Sequence, residues 1–263
     1  MKKSIKIFFL VLCSSIMIAC TSTAPLTGRN QLKLVSDESL VASSANSYNQ
    51  LIQKAKQQGK LANNTQNGRR LHMIGKRVAS AVERYMYQNG MGDRIQYLRW
   101  EFNLIESKEI NAFAMPGGKI AFYSGIMPVL QTDARIAFVM GHEIGHVIGG
   151  HHAEGYSNQQ LAGLATALTN VMVGKSASSL VSDGLSIGLL KFNRTQEYEA
   201  DKYGMIFMAM AGYDPTEAIY AEMKMASLSE NSGSDFLSTH PANEKRIAAL
   251  KAFLPEAMKY YKK

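Results

Sequence analysis

Two stretches near the start of the chain place apolar residues at helical spacing. Ser36-Asp37-Glu38 supplies an N-cap and an acidic first turn, and Leu40, Val41, Tyr48, Leu51 and Ile52 mark the buried side of a helix over about 36–58. A second amphipathic stretch covers about 65–88, with Leu71, Ile74, Val78 and Val82 on one face, and stops at Asn89-Gly90. The period then shortens to two. Residues 95–105 and 110–115 alternate, Pro116-Gly117-Gly118 breaks the run, and Lys119-Ile120-Ala121-Phe122-Tyr123 resumes it, which predicts a small antiparallel sheet with a hairpin. Helical spacing returns after Thr132 or Asp133, with Ile136, Val139, Met140, Ile144 and Val147 as the buried face and Gly149-Gly150 as the stop. A helical hairpin over about 155–192, a helix over 194–211, another opened by Asp214-Pro215-Thr216 and a last one after His240-Pro241 complete the pattern. The expected fold class is α+β, mostly helical with a small antiparallel sheet.

The first residues follow a different logic. Lys2, Lys3 and Lys6 make a basic start, residues 7–18 are apolar, and Ala19-Cys20 closes the segment. The apolar run is shorter than the roughly twenty residues a membrane span needs, so the layout is that of a secretory signal peptide. Met17-Ile18-Ala19-Cys20 resembles a bacterial lipobox, whose cysteine becomes a lipid-modified N-terminus. The alternative is ordinary cleavage near Ala19 with Cys20 left as a free thiol, which an oxidising compartment disfavours. The expected organisation is a removed signal peptide at 1–19, a lipidated N-terminus at Cys20 with a tether to residue 35, and one domain over 36–263.

Composition narrows the chemistry. With 46% hydrophobic and 19% charged side chains in 263 residues, the chain can bury a sizeable core. Its only cysteines are Cys13 and Cys20, so a disulfide framework is excluded from the body, and any metal must be held by His, Asp or Glu. The net charge of +8 invites a nucleic-acid partner, yet three of those charges belong to the leader and the rest are scattered. No nucleic acid is expected.

His142-Glu143-Ile144-Gly145-His146 stands inside the helix that follows Asp133. Residues four apart lie about 40° apart around a helix axis and one turn along it, so His142 and His146 can point two imidazoles at one ion. Glu143, about 100° from His142 and about 60° from His146, stays near that face without displacing either. This suits one Zn²⁺ per chain held by neutral imidazoles, with Glu143 accepting the proton of an attacking water. Glu197, on the helix over 194–211, is the expected third ligand. Asp201, four residues on, can accept the outer N–H of a ligand histidine. Two His, one Glu and an open fourth position is the layout of a catalytic site. Glu199 is the rival third ligand, but it faces about 200° away from Glu197, has no carboxylate four residues later, and reads as a solvated charge. His151 and His152 read as helix-end or surface residues, and His72 as structural.

The HExxH motif followed by Arg194-x-x-Glu197-x-x-Ala200-Asp201 resembles gluzincin peptidases of the HtpX, mitochondrial inner-membrane Oma and CAAX-prenyl-protease type. The leader and Pro25-Leu26-Thr27-Gly28-Arg29-Asn30-Gln31-Leu32 resemble the exported lipoprotein branch of that family. The similarity extends to Asn111-Ala112-Phe113-Ala114-Met115-Pro116-Gly117-Gly118 and Ser238-Thr239-His240-Pro241. The resemblance implies a zincin-type metallopeptidase domain in which His240 approaches the metal, to stabilise an oxyanion or to latch the open position at rest. Asn111, Ala112, Phe113 and Ala114 fit an exposed edge strand along the cleft, to which an extended peptide could add.

The expected function is that of a lipid-anchored zinc endopeptidase acting on misfolded or unassembled envelope proteins. Its partners would be unfolded or extended polypeptides and, through the anchor, a membrane. Thr21, in place of Asp, after the cysteine points to the inner leaflet of the outer membrane, facing the periplasm. The rival is a latched, weakly catalytic or non-catalytic assembly factor of chaperone type; a zinc hydrolase of non-peptide acyl bonds fits the edge strand less well.

Overall fold

The computed structural model describes residues 21–172, 191–228 and 235–262. The expected signal peptide, the Cys20 lipidation site and most of the second half of the 155–192 hairpin lie outside the described residues.

Residues 21–32, expected as a tether, fold back on the domain. β1 (Thr21–Thr23) pairs antiparallel with β2 (Asn30–Leu32), and Gly28 turns the chain at φ 66°. Gln31 is buried, and its side-chain amide donates to the Gly149 carbonyl at 2.7 Å, which fixes the hairpin to the end of the histidine-bearing helix.

α1 (Asp37–Gln57) and α2 (Gln66–Gln88) form as their caps dictate, with the side chains of Ser36 and Thr65 accepting from the amides of Ser39 and Gly68. Tyr48 of α1 is fully buried and donates its hydroxyl to the Ile120 carbonyl at 2.6 Å, tying this helix to the sheet. That sheet contains β3 (Glu101–Ile105), β4 (Ala112–Met115) and β5 (Lys119–Tyr123) in the order β3-β5-β4. β4 and β5 make the expected hairpin, Ala112 opposite Phe122 and Met115 opposite Lys119. β3 runs parallel to β5, so the sheet is mixed and not antiparallel as expected. Alternation reports which face a side chain takes and carries no information about strand direction.

After α3 (Met127–Leu130) comes α4 (Asp133–Ile148), capped by Thr132, whose hydroxyl accepts from the Arg135 amide. Every residue from Ile136 to Ile148 is buried, where the sequence pattern implied one apolar face. α4 is the central helix, enclosed by α2, β4, α6 (Arg194–Met210) and α7 (Thr216–Ala226). α5 (His151–Met172) leaves it through Gly150 at φ 67°, and α8 (Asp235–Thr239) and α9 (Glu244–Ala257) follow α7. Ile74, Val82, Phe122, Met140, Tyr203, Phe207 and Leu250 belong to one apolar core shared by these elements. Among the described residues no helix is long and apolar enough to cross a membrane.

Candidate metal centre

Two segments converge on α4. The helix itself presents His142 and His146, α6 brings Glu197 and Asp201, and the end of α8 brings His240. His146 Nε2 lies 3.1 Å from His142 Nε2 and 3.4 Å from Glu197 Oε1; His240 Nδ1 lies 3.0 Å from Glu197 Oε1 and 3.3 Å from His142 Nε2. One donor atom from each of His142, His146, Glu197 and His240 falls within 4.8 Å of all the others, and all four residues are at most 2% exposed. His240, which the resemblance brought toward the metal, is thus grouped with the three expected ligands.

These residues fit zinc. The imidazole nitrogens of His142 and His146 and the Glu197 carboxylate are among its usual donors. Burial pushes the His146 pKa well below the usual range, so the ring is neutral and its lone pair available. Glu197 is held well below the usual carboxylate range: burial opposes ionisation, and the charges of His240 and Arg246 outweigh it. Glu143 Oε1 is buried without a hydrogen-bond donor, as expected for a group that serves the water of an ion.

Glu143 sits one residue round the helix from His142. Its Oε2 accepts the Ala114 amide at 2.9 Å, and its Oε1 is 3.5 Å from His240 Nε2. Burial pushes its pKa up, against the pull of His240 and His142, which suits a group that must take and return a proton.

Asp201 lies where the sequence spacing put it, its Oδ1 3.0 Å from His142 Nδ1. The spacing did not reveal Arg246 in the first turn of α9. This guanidinium is 2% exposed, donates to both oxygens of Asp201 at 2.6 and 2.8 Å, and lies 3.0 Å from Glu197 Oε2. Glu222 is the third carboxylate against it, 3.4 Å away, and burial pushes its pKa up to about 8 against the pull of Arg246. The available sequence signal was an arginine four residues before the buried Leu250, on the inner face of the helix.

Three expectations need correction. Glu199 is not a solvated charge: it is 4% exposed, and His151, Arg29 and Thr27 bind it. His151 and His152 are not surface residues, being 0% and 2% exposed. The N-terminal hairpin and α5 cover that side of α6, which helical angles alone could not reveal. The strand expected to be exposed is at the sheet edge but buried over Ala112–Met115, with Asn111 buried just before it. Its Ala114 amide is taken by Glu143, and its Ala114 carbonyl accepts from His152 Nε2 at 3.0 Å. Aromatic rings close the centre further, Phe192 stacking on His146 at 3.8 Å and Phe236 on His240 at 4.7 Å.

A buried HExxH pair on one helix, completed by a glutamate from a second, defines a metallopeptidase type of centre on a helix-rich α+β domain. The sequence model for peptidase family M48 matches residues 66–254, and the chain belongs to that family. It is 32% identical over 185 residues to the mitochondrial metalloendopeptidase OMA1 of Schizosaccharomyces pombe, covering 68% of this chain and 53% of that one. It is 33% identical over 162 residues to the metalloprotease LoiP of Escherichia coli, covering 60% and 64%. It is 30% identical over 161 residues to the beta-barrel assembly-enhancing protease of the same organism, covering 57% and 33%. The chain therefore spans between a third and two thirds of the length of these relatives.

Proposed function

We propose that the chain is a zinc-dependent endopeptidase of the bacterial envelope, anchored by a lipid on Cys20 and acting in the periplasm on extended segments of misfolded or unassembled proteins. The observation that carries this reading is Glu143, a buried carboxylate with a raised pKa and one unpartnered oxygen beside His142, His146, Glu197 and His240. A relative named for enhancing beta-barrel assembly supports an envelope substrate, and the lipobox at Cys20 supports the anchor.

His142, His146 and Glu197 would hold a zinc ion, which would supply Lewis acidity toward the scissile carbonyl and lower the pKa of water. Glu143 accepts the proton of the attacking water and returns it to the leaving amine. A substrate segment adding to β4 along Asn111, Ala112, Phe113 and Ala114 takes over the Ala114 amide and carbonyl. That exchange releases Glu143 from its hydrogen bond as the substrate arrives. His240, beside Glu143 and Glu197, would either face the developing oxyanion or latch the centre at rest. A cavity of about 430 Å³ lined by Phe192, Arg194, Tyr198 and Pro241 reaches Glu197 and Arg246 and gives a route to the centre. The non-catalytic alternative is not favoured, because the base is retained and buried in place.

The test removes residues 1–20, loads the protein with zinc and compares casein cleavage by wild type and Glu143→Gln. Loss of about 100- to 10,000-fold in kcat with zinc content unchanged supports the proposal. Zinc binding without any cleavage that depends on Glu143 refutes it. Fatty-acid labelling that survives Cys20→Ala refutes the anchor separately.

A further inference from the structure

We infer that His151 and Glu199 are positioning residues for the zinc ligand His146, and that Thr27 and Arg29 of the N-terminal hairpin hold this pair in place. The inference rests on the reading that the centre binds zinc.

The Nε2 of His146 faces the other donors, 3.1 Å from His142 Nε2 and 3.4 Å from Glu197 Oε1. Its Nδ1 points away from them, 2.9 Å from Nδ1 of His151. An imidazole that gives one nitrogen to a metal carries its proton on the other, so His146 Nδ1–H is a donor. Two ring nitrogens 2.9 Å apart need one donor and one acceptor, so His151 Nδ1 accepts. The His151 proton is then on Nε2, which donates to Glu199 Oε2 at 3.2 Å. A carboxylate only accepts, and it therefore sets the direction of the whole chain.

Glu199 is itself fixed from the hairpin. Arg29 Nε donates to Oε2 at 2.9 Å, and the Thr27 hydroxyl donates to Oε1. The terminal nitrogens of Arg29 grip both oxygens of Glu154 at 2.7 Å, which keeps the guanidinium in position. Glu154 also accepts from the side-chain amides of Gln31 and Gln196. His151, Glu154 and Glu199 are all buried. Each helix-borne histidine thus has a carboxylate of α6 behind it: Asp201 directly for His142, and Glu199 through His151 for His146.

The test uses the full chain in detergent and measures zinc affinity by chelator competition, together with the visible spectrum of the cobalt-substituted protein. Glu199→Gln offers one acceptor oxygen where three donors need two, and zinc affinity is expected to fall about 10- to 100-fold with a changed cobalt spectrum. Arg29→Gln should move both in the same direction. His151→Asn keeps a polar atom opposite His146 Nδ1 and should retain more affinity than His151→Leu. If wild type binds one zinc and Glu199→Gln matches it in affinity and spectrum, the inference is overturned and the zinc reading stands. Equal losses in His151→Asn and His151→Leu would also overturn it, leaving His151 as packing. A wild type that binds no zinc removes the reading beneath it.

Discussion

Gly141 of α4 rests against Gly204 of α6, so that a Cβ on Gly141 would lie 3.0 Å from the Gly204 Cα. One turn on, a Cβ on Gly145 would come within 2.8 Å of the Tyr203 Cβ. The close approach of these helices lets short side chains from both reach a common point. Gly145→Ala should gain about 1 kcal/mol of helix propensity. Overpacking against the buried Tyr203 should cost about 1–3 kcal/mol. A melting temperature lowered by a few degrees together with weaker zinc binding is expected; a melt raised above wild type would show that the helices can part without cost.

Arg246 balances two carboxylates that belong to the centre. Arg246→Met leaves Asp201 and Glu197 buried without their cation, which should destabilise the fold by about 3–5 kcal/mol. Arg246→Lys should recover only a fraction, because an ammonium cannot reproduce the two-pronged grip on Asp201. Urea midpoints measure both, and an Arg246→Met protein as stable as wild type would contradict the assignment.

Glu222 gives a pH dependence with a definite sign. Its folded-state pKa, about 8, is above its usual value of 4.5, so the folded protein binds the proton more tightly than the unfolded chain. The associated stability is fully present below about 4.5 and is lost as pH rises through about 8. Arg246 cannot prevent this, because its Nε donates to Asp201 and leaves Glu222 Oε1 without a hydrogen bond. Glu222→Gln mimics the protonated form, so its melting temperature should fall less than that of wild type across this range. Parallel curves would mean that Glu222 is ionised throughout.

Metal removal should be visible in stability as well as in activity. At a hundredfold excess over its dissociation constant, zinc adds about 2.7 kcal/mol, or about 5–10 °C for a chain of this size. Chelation should lower the melting temperature of wild type and Glu143→Gln alike, since Glu143 is not among the donors that share the point. His146→Ala should show no such shift. A chelator-insensitive wild type would rule out a metal coupled to the fold.

The helices around the centre were legible because their signals are local. Thr132 caps α4, and four-residue spacing places His142 with His146 and Glu197 with Asp201. Once two such helices lie side by side, His142, His146 and Glu197 fall within reach of one another. Asp201 apart, what lies behind these residues was not legible. Glu199 is bound by Arg29 from 170 positions away, Arg246 reaches Asp201 across 45, and His151 meets His146 only because the chain turns at Gly150. The direction of β3 and the burial of β4 belong to the same class. Sequence alone determined the main helices, the β4–β5 hairpin and the residues able to bind metal, since backbone periodicity and capping act within a few residues. Tertiary structure decided which charges are buried and paired, because burial is set by whatever distant segment covers a helix face.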